Sequence, residues 1–152
     1  DWWVVNDDVM GGVSRSRIVH SGEGTAIFAG VVSLENFGGF ASTRTRSSHY
    51  KLNRAHEGFL VRVRGDGKTY QLRARTDGRL DGVSYRYRFA TQPGRWITVE
   101  APFRDFQPTF RGRRLRNVPP ISPERIRQIG FMISDKQVGE FRLEIDWVRA
   151  YE

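Results

Sequence analysis

Phe59-Leu-Val-Arg-Val-Arg64, Tyr70-Gln-Leu-Arg-Ala-Arg75 and Val83-Ser-Tyr-Arg-Tyr-Arg-Phe89 are three short runs in which apolar and polar residues alternate. A period of two is the signature of a strand with one covered and one uncovered face. Gly65-Asp-Gly67, Asp77-Gly78, Asp81-Gly82 and Pro93-Gly94 punctuate them, and these are turn residues. Outward from this centre the pattern continues. Residues 25–32 are rich in β-formers, Trp96-Ile-Thr-Val-Glu100 follows the third run, and 129–134 and 141–151 complete the set. Many short strands separated by Gly/Asp turns predict an antiparallel sandwich or barrel.

Helix signals are scarce. The best is Ser122-Pro-Glu-Arg-Ile-Arg-Gln-Ile129, with a capping serine, Pro123 at the first helical position and Glu124 at the positive end of the dipole. This predicts a helix of one or two turns. Residues 104–120 read as a long irregular excursion, with three prolines and the basic cluster Arg111-Gly-Arg-Arg-Leu-Arg116. The whole chain, 1–152, reads as a single domain, long enough for a two-layer core.

Alternation also places charge. In the first run Arg62 and Arg64 oppose Phe59, Val61 and Val63. In the second, Arg73 and Arg75 oppose Tyr70, Leu72 and Ala74. In the third, Arg86 and Arg88 oppose Val83, Tyr85, Tyr87 and Phe89. If the three strands are hairpin neighbours in one sheet, six arginines share one face. Such a face is either an ordinary solvated surface balanced by carboxylates or a recognition surface for phosphate, carboxylate or polyhydroxyl groups. Tyr50 or Trp96 would add a stacking platform if either reached it. The net charge is +8, and Lys51, Lys68 and Lys136 are the only lysines among 25 basic residues. Arginine is the planar fork suited to oxyanions. A GC-rich genome accounts for the same bias without function.

Several chemistries lack their residues. No cysteine is present, so disulfides, thiolate zinc sites and a Cys nucleophile are excluded. His20, His49 and His56 form no HExxH pair, and there is no GxSxG elbow. Gly65-Asp-Gly-Lys68 lacks the spacing and the Ser/Thr of a phosphate loop and reads as a turn. No apolar run approaches the ~20 residues of a membrane-spanning helix. The expectation is a protein that binds and is not an enzyme.

Four polar stretches are too specific for plain turns: Trp3-Val-Val-Asn-Asp-Asp-Val-Met-Gly-Gly-Val-Ser-Arg-Ser16; Val32-Ser-Leu-Glu-Asn-Phe-Gly-Gly-Phe-Ala-Ser-Thr-Arg44; Pro102-Phe-Arg-Asp-Phe-Gln-Pro-Thr-Phe-Arg-Gly-Arg113; and 129–148, which contains Gly130-Phe-Met-Ile-Ser-Asp-Lys-Gln-Val-Gly-Glu-Phe141. In this order and spacing, from Trp3 to Tyr151, the chain resembles the complex I intermediate-associated protein 30 family. The resemblance implies an all-β, galactose-binding-like jelly-roll β-sandwich with at most one or two short helices, similar to carbohydrate-binding modules. It implies an assembly-factor role and no cofactor. The motif residues with polar roles would be Asn6, Asp7, Asp8, Ser14, Glu35, Asn36, Arg44, Arg111, Ser134, Asp135, Lys136 and Gln137, forming a binding rim. The alternative is that they fasten loops. By analogy with the fold, a structural Ca²⁺ would sit between Asp7 or Asp8 and Glu144 or Asp146; no metal is otherwise expected. The expected partners are, in order, a protein (a respiratory assembly intermediate if the family role holds), RNA and an acidic glycan. The arginine bias and the lack of an N-terminal extension point to a bacterial cytoplasmic protein; a eukaryotic one would be mitochondrial.

Overall fold

The computed structural model describes residues 2–6, 14–35, 39–45, 50–77, 83–111 and 113–152. Twelve strands run in chain order: β1 (Trp2–Asn6), β2 (Arg15–His20), β3 (Ala26–Val32), β4 (Ala41–Thr45), β5 (Gly58–Arg64), β6 (Thr69–Arg75), β7 (Ser84–Ala90), β8 (Trp96–Pro102), β9 (Gln107–Phe110), β10 (Arg113–Arg114), β11 (Gln128–Ile133) and β12 (Gly139–Tyr151). They form two antiparallel sheets. One has seven strands in the order β1-β4-β11-β6-β7-β9-β10, the other five in the order β2-β3-β12-β5-β8. The result is the expected jelly-roll sandwich.

Alternation builds the core between the sheets. Phe28, Val61, Val63, Leu143 and Ile145 come from the five-stranded sheet, and Tyr70, Leu72, Ala74, Phe131 and Ile133 from the seven-stranded one. Rings lock edge to face: Phe28 on Phe141 at 4.9 Å, Phe59 on Phe103 at 5.1 Å and Phe89 on Phe131 at 6.4 Å. Such pairs add to the burial term because a ring's positive edge meets a negative face.

Three expectations are corrected. The helix over 122–129 is a single 3-10 turn, Pro123–Arg125, and Ser122 makes no side-chain cap. Gln128 already belongs to β11, because burying Ile129 and Phe131 in the sheet outweighs one turn of helix. Second, the excursion over 104–120 carries regular structure: a 3-10 turn at Phe103–Asp105 and the paired edge strands β9 and β10.

Third, the six arginines do not share a face. β5 pairs with β12 and β8, whereas β6 pairs with β11 and β7. The Gly65–Gly67 turn therefore crosses between sheets and does not fold a hairpin within one. It is tied on both sides. Asp66 accepts hydrogen bonds from the Tyr70 hydroxyl (2.9 Å) and the Arg142 amide (2.9 Å), and the Gly67 amide donates to the Thr91 hydroxyl (3.0 Å). At Gly65 a Cβ would stand 2.4 Å from the Thr91 side chain, so only glycine fits. Since β5 and β6 face each other across the core, their outward positions point in opposite directions. Arg62 and Arg64 line the outer face of the five-stranded sheet; Arg73, Arg75, Arg86 and Arg88 line that of the seven-stranded sheet.

Candidate anion-binding face

The outer face of the seven-stranded sheet is assembled by register. Gly130 of β11 stands opposite Arg44 of β4 on one side and Arg73 of β6 on the other, and Arg73 stands opposite Arg86 of β7. Arg44, Gly130, Arg73 and Arg86 thus make one row across four strands. The next row towards one end is Ser42, Met132, Gln71 and Arg88; towards the other it contains Gln128, Arg75, Ser84 and Thr109. The face is polar yet well covered: Ser42, Arg44, Gln71, Arg75, Ser84, Thr109 and Gln128 are all buried.

Gly130 sets the geometry. A Cβ there would lie 2.4 Å from the Thr43 carbonyl oxygen and 3.3 Å from Arg44 Cγ. The bare backbone lets β4 approach closely and lets the Arg44 stem lie over it. Arg73 is held by three neutral acceptors. Its Nη1 donates to Gln71 Oε1 (2.7 Å), its Nη2 to Thr109 Oγ1 (3.1 Å) and its Nε to Ser84 Oγ (3.1 Å). These partners fix the guanidinium without neutralising it.

The electrostatic consequence is direct. Burial, then the neighbouring Arg75, Arg86, Arg44 and Arg88, push the Arg73 guanidinium down to about 9. Burial and Arg75 lower Arg44 to about 10. Arg86 is lowered by burial first and by Arg88 and Arg114, with Asp135 opposing. Arg73 and Arg44 remain protonated at neutral pH, so the fold carries the work of holding like charges together. Among the described residues, Arg86 Nε and Gln128 Oε1 are buried without a hydrogen-bond partner.

The motif residues divide into three groups. Arg44, predicted for a rim, instead lies within the sheet beside Arg73. Ser134, Asp135 and Gln137 gather at one end of the arginine face, where β11 leaves for the other sheet. Asp135 takes both Nε and Nη2 of Arg88 at 3.1 Å, and Ser134 Oγ accepts from Gln71 Nε2 at 2.8 Å. The Gln137 carboxamide accepts from the Thr69 amide (2.8 Å) and donates to the Thr69 carbonyl (2.7 Å). Asp135 and Lys136 both adopt positive φ, and Lys136 is exposed. The remaining motif residues stand apart. Ser14 is buried and exchanges hydrogen bonds with the Ser33 backbone. Glu35 is exposed, and the Arg111 guanidinium lies over the Phe110 ring at 5.3 Å. Asp7, Asp8, Asn36 and the Asn6 side chain lie outside the described residues.

On the opposite sheet, Arg62 and Arg64 meet carboxylates. Glu144 is 3% exposed and accepts from Thr25 Oγ1 and Arg64 Nη2, both at 2.6 Å, with Arg142 at 3.6 Å. The Thr25 hydroxyl first, then Arg64 and Arg142, draw its carboxyl below the ordinary range against the opposing effect of burial. Asp146 pairs with Arg62 at 3.4 Å, and Arg62 and Arg64 both lie over the Trp96 ring at about 5 Å. Glu144 and Asp146, two of the four carboxylates suggested for Ca²⁺, are thus engaged by arginines. Among the described residues, no group of three or more His, Asp or Glu is arranged to hold a metal. Trp96 belongs to this sheet, and Tyr50 packs against the core with its hydroxyl on Thr45 (2.6 Å), so neither joins the arginine face.

Sequence reasoning missed Gly130, Gln128, Met132, Ser42 and Thr109, while alternation already sets Gln71 and Ser84 on the outward face. The signal was there in part: 128, 130 and 132 are the alternate positions to Ile129, Phe131 and Ile133, and so had to face outward.

The architecture is that of a jelly-roll β-sandwich. Solved structures bear this out as a matter of fold. The Family 11 carbohydrate-binding module of the cellulosomal cellulase Lic26A-Cel5E of Clostridium thermocellum matches with a TM-score of 0.62 at 17% identity, over 95% of this chain and 86% of that one. The same family's module in complex with a β-1,3-1,4-mixed-linked tetrasaccharide matches with a TM-score of 0.63 at 15% identity, over 95% of this chain and 87% of that one. Within that class the sequence is more specific. The complex I intermediate-associated protein 30 family model matches residues 1–145, and the chain belongs to this family. The probable mitochondrial complex I intermediate-associated protein 30 of Caenorhabditis elegans is 29% identical, over 99% of this chain and 50% of that protein. The mitochondrial protein of Drosophila melanogaster is 27% identical, over 97% of this chain and 57% of that protein. The chain thus spans about half the length of these curated relatives.

Proposed function

We propose that this chain is a non-catalytic docking domain that uses the arginine face of its seven-stranded sheet, with the Ser134–Gln137 turn at its end, to hold a protein partner. By analogy with the relatives' names, that partner is an assembly intermediate of respiratory complex I. The observation that carries the reading is the row Arg44, Gly130, Arg73 and Arg86, in which Arg73 is held by three neutral groups and pressed by the neighbouring arginines. A concentration of cations of this kind favours an anionic surface. Family membership supports an assembly role over chemistry. No helix among the described residues is long and apolar enough to cross a membrane.

The test is affinity capture from the native organism with the natural chain and with an Arg86→Glu/Arg88→Glu double variant, each with and without nuclease. The expected result is recovery of complex I subunits that resists nuclease and falls at least tenfold in the double variant. Loss of the captured material on nuclease treatment would transfer the face to RNA. Equal recovery by both chains would remove the face from the function.

A further inference from the structure

A groove runs along the edge of the seven-stranded sheet, where the chain leaves β10. Arg104, Asp105, Gln107, Arg114, Arg116 and Asn117 contribute to its lining. It holds roughly 1510 Å³ of free space including its open mouth, room for a stretch of chain and not only for a single ion. The backbone under it is anchored. The Leu115 amide donates to the Pro108 carbonyl (2.9 Å) and so extends the β9–β10 pairing by one residue. Asn117 then turns the chain with a φ of 60°. Val118 packs against the core, and the Tyr85 hydroxyl donates to the Pro119 carbonyl (3.2 Å). On the other wall Phe103 and Phe106 are buried, and the Phe106 amide donates to the Phe103 carbonyl. Arg104, Arg114 and Arg116 are exposed, and among the described residues no hydrogen bond or ion pair holds their guanidiniums. In this they differ from Arg73, whose three nitrogens are all engaged. Among the described residues of the lining, Asp105 is the one carboxylate beside three cations.

We infer that this groove binds an extended, acidic segment of the protein partner. The inference rests on the docking function above and adds to it a second contact of defined chemistry. Arg114 joins the two regions: after burial and Arg88, its charge adds to the lowering of the Arg86 guanidinium, so groove and face share one positive field. The lining selects the kind of polyanion. A free guanidinium fork matches a planar carboxylate in two parallel hydrogen bonds. The carboxamides of Gln107 and Asn117 can meet the carbonyls and amides of a peptide backbone, and Asp105 can accept from its N–H groups. A nucleic-acid strand fits less well. Such strands are held by stacking their bases on open aromatic faces, and the ring in this lining, Phe106, is only 5% exposed. Asp105 would also repel a backbone that is charged at every unit, whereas a peptide can place an uncharged residue there.

The test compares two charge reversals of equal size. Arg104→Glu/Arg116→Glu changes the groove. Arg15→Glu/Arg17→Glu makes the same change at two exposed positions of β2, in the other sheet. All four side chains are exposed, so both variants should keep the fold and melt within a degree or two of the natural chain. Binding of fluorescent poly-L-glutamate and poly-uridylate is measured for the three proteins by anisotropy. The expected result is that the groove variant weakens poly-L-glutamate binding at least tenfold and the β2 variant less than threefold. Equal weakening by the two variants would show a response to net charge alone and overturn the groove. So would poly-uridylate binding as tightly as poly-L-glutamate and being lost in the same variant, which would give the groove to nucleic acid. Failure of the groove is separable from failure of docking on the arginine face, because the groove variant can enter the same affinity capture. If it recovers complex I subunits as the natural chain does while Arg86→Glu/Arg88→Glu does not, docking stands and the groove falls. If both variants lose the partner, both stand. If both recover it in full, both fall.

Discussion

The two outer faces of this sandwich begin from nearly the same sequence pattern, and their arginines meet different neighbours. β5 carries Val-Arg-Val-Arg and β6 carries Leu-Arg-Ala-Arg. On the five-stranded side, β12 lies beside β5 and brings Glu144 and Asp146 to Arg64 and Arg62. On the seven-stranded side, β6 lies between β11 and β7. The residues opposite its arginines are Gly130 and Arg86 beside Arg73, and Gln128 and Ser84 beside Arg75. Similar local patterns thus meet carboxylates at Arg62 and Arg64 and, around Arg73, neutral side chains and further arginines, and strand order makes the difference. An arginine run in a strand says nothing of its electrostatic fate until the neighbouring strands are known.

The sharpest way to break the comparison is at Gly130. Gly130→Ala drives a methyl group to 2.4 Å from a backbone oxygen that cannot move without displacing β4. The expected loss is about 3 kcal/mol, read as a melting temperature roughly 10 °C lower. A comparable alanine on the exposed rim of the sheet should be silent.

Glu144 tests the other face. Glu144→Gln removes the carboxylate that receives Thr25 and Arg64 and should destabilise by about 2 kcal/mol at neutral pH. The pH dependence has a defined sign. Because the folded-state pKa lies below the unfolded one, the contribution is fully present above the unfolded value of about 4.3. It is lost as pH falls through the folded value. An acid titration followed by circular dichroism should therefore show a shallower loss of stability in the glutamine variant than in the natural chain.

The smallest effect on stability is expected at Arg88. Its pair with Asp135 is well aligned but half exposed on both sides. Arg88→Ala should change stability by about 0.5 kcal/mol or less, within a degree or two in a melting curve, even as it weakens partner capture. A large fall in melting temperature would show that the turn at Asp135 depends on this pair for its fold.

The fold was legible in the sequence because burial obeys a period of two. β5, β6, β7 and β8 follow the alternating runs within a residue or two, and the family motifs span the sandwich from end to end. The helix over 122–129 was misread because cap residues are a local signal, and the apolar residues Ile129 and Phe131 answer to the sheet. The candidate site was only half legible. Arg73, Arg75, Arg86 and Arg88 could be assigned to outward positions from alternation. Which strand would stand beside which could not, so Arg62 and Arg64 were assigned to the wrong sheet and Arg44 to a loop rim. Gly130 carried no chemical signal at all. Its importance comes from what passes over it, and that is visible only once β4 and β11 are side by side.

Gln137 shows the same dependence on neighbours in miniature. Its carboxamide gives and receives as a peptide group would, meeting both the amide and the carbonyl of Thr69. A side chain thereby supplies the last rung of a ladder whose next strand has already turned away to the other layer. The opening residue of β6 is capped by an impersonated backbone. Deamidation at this single position would replace the donor with a second acceptor facing the Thr69 carbonyl. The sheet would then begin to fray where the two layers part, beside the turn that reaches across to Arg88.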